Sequence, residues 1–255
     1  MKLFTVLRNS GFGDYVGTTR VLSAILGSEY KYVVCNQLKY SNYHCKNLDF
    51  INLFFNGDYV DFEPQNIINI SFRDLLNQKT ITDHKLIALT IDNQDFSSFS
   101  KFGRLDITPT QSLFTYKPTN NPFLESESFN KVTLHLRETD LVSANKLIRP
   151  MINPLKINNF INNLFQEKTD ITICSDTAQN SSYHNQIKQL SFSDNIRIID
   201  TFIGKDTETT IKTMDAIYYS DTTISKSSSF IHLFNTKKIT VPDEFCYKTF
   251  EEIKI

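Results

Sequence analysis

Three clusters in this 255-residue sequence combine residue types that can hold an anion or move a proton. The first is Asn9-Ser10-Gly11-Phe12-Gly13-Asp14. Gly11 and Gly13 let the backbone come close to a phosphate or a sugar, and a helix behind them would offer free N–H groups and a positive dipole end. Asp14 can act as a general base or cap that helix. The second cluster is His135-Leu136-Arg137-Glu138-Thr139-Asp140. Arg137 can grip a diphosphate with its planar fork. Glu138 and Asp140 can serve as a base or hold Arg137 in place, or the group is a surface salt-bridge cluster. The third is Ser225-Lys226-Ser227-Ser228-Ser229-Phe230-Ile231-His232. Hydroxyls at 227, 228 and 229 at a helix start make an anion site. The plainer reading is a Ser-rich cap with a solvated Lys, and His232 either touches the ligand or faces the core. Ser175-Asp176-Thr177 is a weaker fourth. Asp176 can accept from a ribose or a base edge, but helix caps look the same.

These clusters matter because of the elements that should carry them. Leu3 to Leu7 reads as a buried strand closed by the first cluster. A helix should follow, capped by Asp14, with Tyr15, Leu22, Ile25 and Leu26 on one face and Gly27 as its stop. Tyr30 to Val34 is the next strand, so the chain opens as β–loop–α–β. Ile67 to Ile70 and Leu86 to Ile91 look like further strands, and residues 93–121 are polar, Phe-studded and irregular. The second half is more regular. Strands are expected at Val132 to Leu136, Ile171 to Cys174, Ile196 to Ile199, Ala216 to Tyr219 and Ile239 to Val241. Helices should begin at Asn153-Pro154, run to about Leu190, hold Ile211 and Met214, and start again at Ser227. The second, third and fourth clusters then fall at strand exits, where open parallel sheets bind ligands.

Composition fits a globular protein with a proper core: 40% hydrophobic, 22% charged, 21 Phe and 11 Tyr. A formal charge of -1 gives no global field to recruit nucleic acid or an anionic membrane. Cys35, Cys45, Cys174 and Cys246 form no C-x-x-C pair, and a reducing compartment is the expectation. No stretch approaches the ~18 apolar residues of a membrane span. The expected place is the cytoplasm, peripheral to a membrane where the acceptor is lipid-linked. There is no P-loop, no G-x-S-x-G elbow and no His/Cys cluster at metal spacing. A D-x-D triplet is also missing; Asp206-Thr207-Glu208 comes nearest and sits at a helix start. A dehydrogenase-like enzyme would need an acidic residue closing the second strand, and Val33-Val34-Cys35-Asn36 offers none.

In this order the clusters resemble glycosyltransferases of the GT-B fold. His135-Leu136-Arg137-Glu138-Thr139-Asp140 looks like the H-x-R-R-x-D signature of GDP-fucose-dependent fucosyltransferases, with Glu138 where that family has its second Arg. The resemblance implies that Arg137 contacts the donor diphosphate, that Asp176 lies near the nucleotide, and that Ser227-Ser228-Ser229-Phe230 opens a helix on the diphosphate. Gly11-Phe12-Gly13-Asp14, with Thr18 and Leu22, also looks like the opening of lipopolysaccharide heptosyltransferases, which would make Asp14 the base. Ser228-Ser229-Phe230-Ile231-His232-Leu233 resembles that family's D-S-G-x-x-H-L segment, with Ser227 and Ser229 in place of its Asp and Gly. Both resemblances imply two Rossmann-like parallel-sheet lobes facing a cleft. Residues 1–125 would form the acceptor side with the Gly-rich loop, and residues 126–255 would bind the donor. They imply an enzyme that moves a sugar, fucose among the candidates, with inversion and without a metal. The donor would be a nucleotide diphosphate-sugar, GDP-linked in first place, with no further cofactor. The acceptor would be a glycan, a lipid-linked molecule or a protein. The rival expectation is a binding protein of the same fold with an altered site.

Overall fold

The computed structural model describes residues 1–7, 12–38, 51–71, 74, 86–90, 113–138, 141–143, 146–147, 149–226, 231, 234 and 236–254, with the backbone alone at 12–14, 143 and 254. The chain divides into two compact units, Met1–Lys117 and Pro118–Ile255.

In the first unit, β1 (Lys2–Leu7) leads into α1 (Phe12–Leu26), followed by β2 (Tyr30–Tyr32), β3 (Val34–Cys35), β4 (Tyr59–Val60), β5 (Ile67–Ser71) and β6 (Leu86–Thr90). Four strands form an all-parallel sheet in the order β2-β1-β6-β5. Leu86 to Leu89 is buried at every residue, as a strand covered on both faces should be. The expected strand Tyr30 to Val34 serves two sheets. Val33 N–H still bonds Phe4 O at 2.9 Å, but Val34 N–H turns to Asp58 O at 3.1 Å and β3 pairs with β4 instead. The many aromatics are core. Tyr32 meets Phe4, Phe55 and Phe114 with ring centroids 5.5, 5.3 and 5.8 Å apart.

Helix α1 begins two residues before Asp14, which therefore lies inside the first turn and is not its cap. Acidic residues are favoured both at the cap and in the first turn of a helix, so residue preference alone does not separate the two positions. Gly27, at φ +68°, ends the helix in the left-handed conformation that a glycine adopts without a Cβ penalty. The buried face holds Tyr15, Val16, Thr19 and Leu22, whereas Ile25 is exposed.

The second unit runs β7 (Asn130–Leu136), a hairpin of β8 (Val142–Ser143) and β9 (Lys146–Leu147), α2 (Pro154–Leu164), β10 (Thr169–Ser175), α3 (Ser182–Ile187), β11 (Ile196–Ile203), α4 (Thr207–Tyr219), β12 (Thr222–Ser225) and β13 (Lys237–Thr240). All five main strands are parallel, in the order β11-β10-β7-β12-β13. Val132, Leu134 and Leu136 of β7 share one core with Ile157 and Ile161 of α2 and Tyr183 and Ile187 of α3. Asn153 caps α2 by accepting Leu155 N–H at 2.9 Å, with Pro154 at the first helical position. The expected strand at Ala216 to Tyr219 is instead the end of α4. Asp206 caps that helix through Thr209 N–H at 2.8 Å, and its second half is buried continuously from Thr213 to Ile217. The strand lies just beyond, at Thr222–Ser225, where a single aliphatic residue gives little hydrophobic signal. A Cβ at Gly204, between β11 and that cap, would sit 2.7 Å from Asp206 Oδ2 and so press on the capping side chain. Helix α3 ends at Ile187, short of Leu190, and β11 extends to Ile203.

At the amino edge of this sheet, Arg197 grips Asp170 with two bonds, Nε to Oδ1 at 2.9 Å and Nη2 to Oδ2 at 2.8 Å. Asp170 is 1% exposed, and Arg197 holds its carboxyl below the usual carboxylate range. A depressed carboxyl stabilises the fold above its unfolded value of about 4, and that stability is lost as pH falls through the lower folded value. Asp170→Asn is therefore expected to cost about 2 kcal/mol at pH 7, the low end for a buried pair because Arg197 stays in solvent. Urea denaturation should show the gap between variant and wild type closing as the pH is taken below about 4. Equal midpoints at pH 7 would remove this pair from the stabilising contacts.

Candidate active site

Strand order places the site before any side chain is considered. In the second sheet the order reverses between β7 and β12, whose carboxyl ends form the crevice where open α/β sheets take ligands. His135 lies on β7, 5% exposed, with Nδ1 3.4 Å from the Ser225 hydroxyl on β12. Strand alternation puts Thr133, His135 and Arg137 on the face opposite the Val132–Leu136 core. Arg137 and Glu138 are the first two residues past β7, and both are half-buried. Lys226 is the first past β12. Its ammonium donates to Val241 O at 2.7 Å and pairs with Asp243, which ties the exits of β12 and β13 together.

Asp176 is the first residue past β10, and Cys174 stands beside His135 in register. Asp176 Oδ1 accepts the Glu138 N–H at 2.7 Å, so the two loops are clamped at their first step. The Thr177 hydroxyl, fully buried, donates to Glu138 Oε2 and lies 2.9 Å from the Ser181 hydroxyl. The Glu138 carboxylate is thus held by a side chain from the neighbouring loop. Below it, Tyr183 donates its phenol proton to Ile152 O at 2.9 Å. Burial, then Tyr247 and the Glu138 and Asp176 carboxylates, push this phenol well above its ordinary value, so it remains a proton donor. Burial also pushes the Cys174 thiol up to about 12, consistent with a strand residue that acts as a small hydrophobe.

The structure therefore brings together His135, Arg137, Glu138 and Asp176 at one sheet edge. Ser225 and Lys226 of the third cluster and Thr177 of the fourth join them, as does Ser181, which no cluster contained. The signal for Thr177 was its place one step after Asp176 at a strand exit. In the first unit the order reverses between β1 and β6, and α1 begins just after the carboxyl end of β1. The backbones of Gly13 and Asp14 lie in the first turn of that helix. Gly11, Asp140, Ser227, Ser228, Ser229 and His232 lie outside the described residues. Among the described residues, no three His, Cys, Asp or Glu side chains gather as metal ligands. No described helix is long and apolar enough to cross a membrane.

No family model matches the chain, and no curated protein matches its sequence. Among solved structures, a mutant of Arabidopsis thaliana FUT1 in complex with GDP is similar over 96% of this chain and 73% of that one, at 12% identity and a TM-score of 0.51. The fold is GT-B-like. S. aureus MnaA with UDP is similar over 90% of this chain and 75% of that one, at 8% identity and a TM-score of 0.40. At 12% identity the likeness to FUT1 shows the fold alone, and any chemistry rests on the residues at the sheet edge.

Proposed function

We propose that the chain is a metal-independent, inverting glycosyltransferase that uses a nucleotide diphosphate-sugar, GDP-linked in first place. The observation that carries this is that Arg137 and Lys226 leave β7 and β12 at the switch point, with Asp176 leaving the neighbouring β10 and the Ser227 to Ser229 segment following Lys226 in sequence. The resemblance of residues 135–140 to GDP-fucose-dependent enzymes supports it, as does the presence of GDP in the FUT1 structure.

In this reading Arg137 binds the donor diphosphate, and Ser227, Ser228 and Ser229 add hydroxyl and amide donors. Asp176 holds the β7 loop through the Glu138 amide and faces the nucleotide. The first unit supplies the base, Asp14, and most of the acceptor surface; Glu138 and Asp140 are the next candidates. The base takes the acceptor hydroxyl's proton, and the oxygen attacks the anomeric carbon as the C–O bond to the diphosphate breaks. Arg137 stabilises the charge that grows on the leaving group. Fucose is one candidate sugar. One observation favours a second reading, a nucleotide-sugar binding protein without transfer. The Glu138 carboxylate, anchored by Thr177, stands where the fucosyltransferase signature has a cation.

Incubation with GDP-, ADP- and UDP-linked sugars plus mixed glycan acceptors separates the two. A transferase releases nucleoside diphosphate in an acceptor-dependent way. Binding of GDP with no release from any donor leaves the binding protein. The released product should keep forming in EDTA, because the sequence lacks the carboxylate triplet that holds a catalytic divalent ion. Loss of release in chelator, restored by Mn²⁺ or Mg²⁺, would contradict the metal-free mechanism.

A further inference from the structure

Arg20 carries a charge that the described part of the first unit does not neutralise. It stands in the third turn of α1, beside the buried Thr19, and is itself half-buried. Its Nε is buried and has no hydrogen-bond partner. Nη2 donates one long bond, to Phe114 O at 3.3 Å. Among the described residues no carboxylate forms an ion pair with it. The residues three and four positions away on the helix are Val16, Gly17, Ser23 and Ala24, none of them acidic. Burial pushes the guanidinium below its ordinary value, and no carboxylate holds it up. Arg197 is the contrast: exposed, gripped by Asp170 through two bonds, and raised by them.

An arginine on a helix surface ordinarily lays its stem on the protein and keeps its head in water. A head drawn in without a carboxylate loses solvation that nothing returns, and charges placed so are normally paired. The wall beside it is firm. Phe114 is 3% exposed and meets the Tyr15 ring edge-on, with centroids 6.2 Å apart. The helix surface in front of it is open. Helix side chains lean over the turn that precedes them, here that of Val16 and Gly17. Gly17 is exposed, and a Cβ there would meet nothing within 4 Å. A planar fork held against a firm wall, with open space in front, suits a carboxylate or a phosphate.

We infer that Arg20 anchors an oxyanion site in the first unit, which takes the carboxylate or phosphate group of a small anionic molecule. Arg137 belongs to the other unit, and the inference does not rest on the transfer reading. The test melts the full-length chain in Tris chloride, then with part of the chloride exchanged for phosphate or for acetate at equal ionic strength. Salt effects on the whole surface act on wild type and variant alike, so the difference between them is what counts. Wild type should gain about 2 °C or more over Arg20→Met in phosphate, in acetate or in both. A gain in phosphate alone marks a phosphate ligand, in acetate alone a carboxylate, and in both a site that accepts either. Arg20→Met keeps the length of the stem and removes the charge, so in chloride it should melt above wild type. Arg20→Gln, which keeps a donor for Phe114 O, should lose the gain as well. Arg137→Ala should keep it. Equal responses in wild type and both Arg20 variants would overturn the site, as would loss of the gain in Arg137→Ala. Arg20→Met melting below wild type in chloride would show the guanidinium to be satisfied where it stands, and would overturn it too.

Discussion

Arg137→Ala should lower kcat for sugar transfer by about a hundred- to a thousandfold, the loss expected when one charge-assisted donor is taken from a leaving group in a desolvated site. The residue leaves β7 at the switch point, half-buried, next to the amide that Asp176 clamps. Its neighbours fix the start of the loop, so truncation removes the guanidinium without releasing the backbone. The melting temperature should stay within about a degree or two of wild type, as for a change away from the core packing. Arg137→Lys keeps the charge and loses the planar fork, so it should recover only part of the rate. Turnover near wild type in Arg137→Ala would place the donor diphosphate elsewhere.

Asp14→Asn should lower turnover by about a hundredfold or more, the usual worth of general-base catalysis, with donor binding intact. The position of Asp14 inside the first turn of α1 sharpens this test. A residue at the cap would lose little on change to Asn, because the amide oxygen accepts the same N–H bond. Inside the turn the carboxylate's structural role is its charge against the helix end, worth roughly 0.3–1 kcal/mol at an exposed site. A small fall in melting temperature with unchanged kcat would mean that Asp14 only serves the helix. The base would then be sought with Glu138→Gln and Asp140→Asn. Thr177→Val, which removes the hydroxyl from the Glu138 carboxylate, accompanies the first of these.

The parallel α/β class was legible because its signals are local and repeated. Leu3 to Leu7, Val132 to Leu136 and Ile171 to Cys174 are short apolar runs with turn residues or caps behind them, and each is a strand. Asn153-Pro154 announced α2 through cap chemistry. Ala216 to Tyr219 misled because four apolar residues look like a buried strand, while the helix that claims them begins with its cap at Asp206, ten residues earlier. Thr222–Ser225 was hidden for the opposite reason. It is buried between β7 and β13, and its threonine and serine hydroxyls find partners within the fold. Of the site, the strand-exit residues His135, Arg137 and Asp176 could be read from position. The Thr177 contact to Glu138, with Ser181 behind Thr177, could not. It depends on β10 lying next to β7, a pairing 39 residues apart in sequence that no local pattern encodes.

The Asp215 carboxylate on α4 bears on where a fragment of the second unit can begin. It is 1% exposed, and its donors include Thr119 N–H at 2.9 Å, the Thr119 hydroxyl at 2.7 Å and Asn120 N–H at 3.0 Å. Lys117, two residues before Thr119, belongs to the other unit, where its ammonium donates to Asn52 O and Phe55 O. A recombinant fragment that starts at Pro118 keeps all three donors. One that starts at Ser126, a tempting choice after the prolines at 118 and 122, removes these three donors from the Asp215 carboxylate. The fragment from Pro118 should therefore unfold at a higher temperature than the one from Ser126.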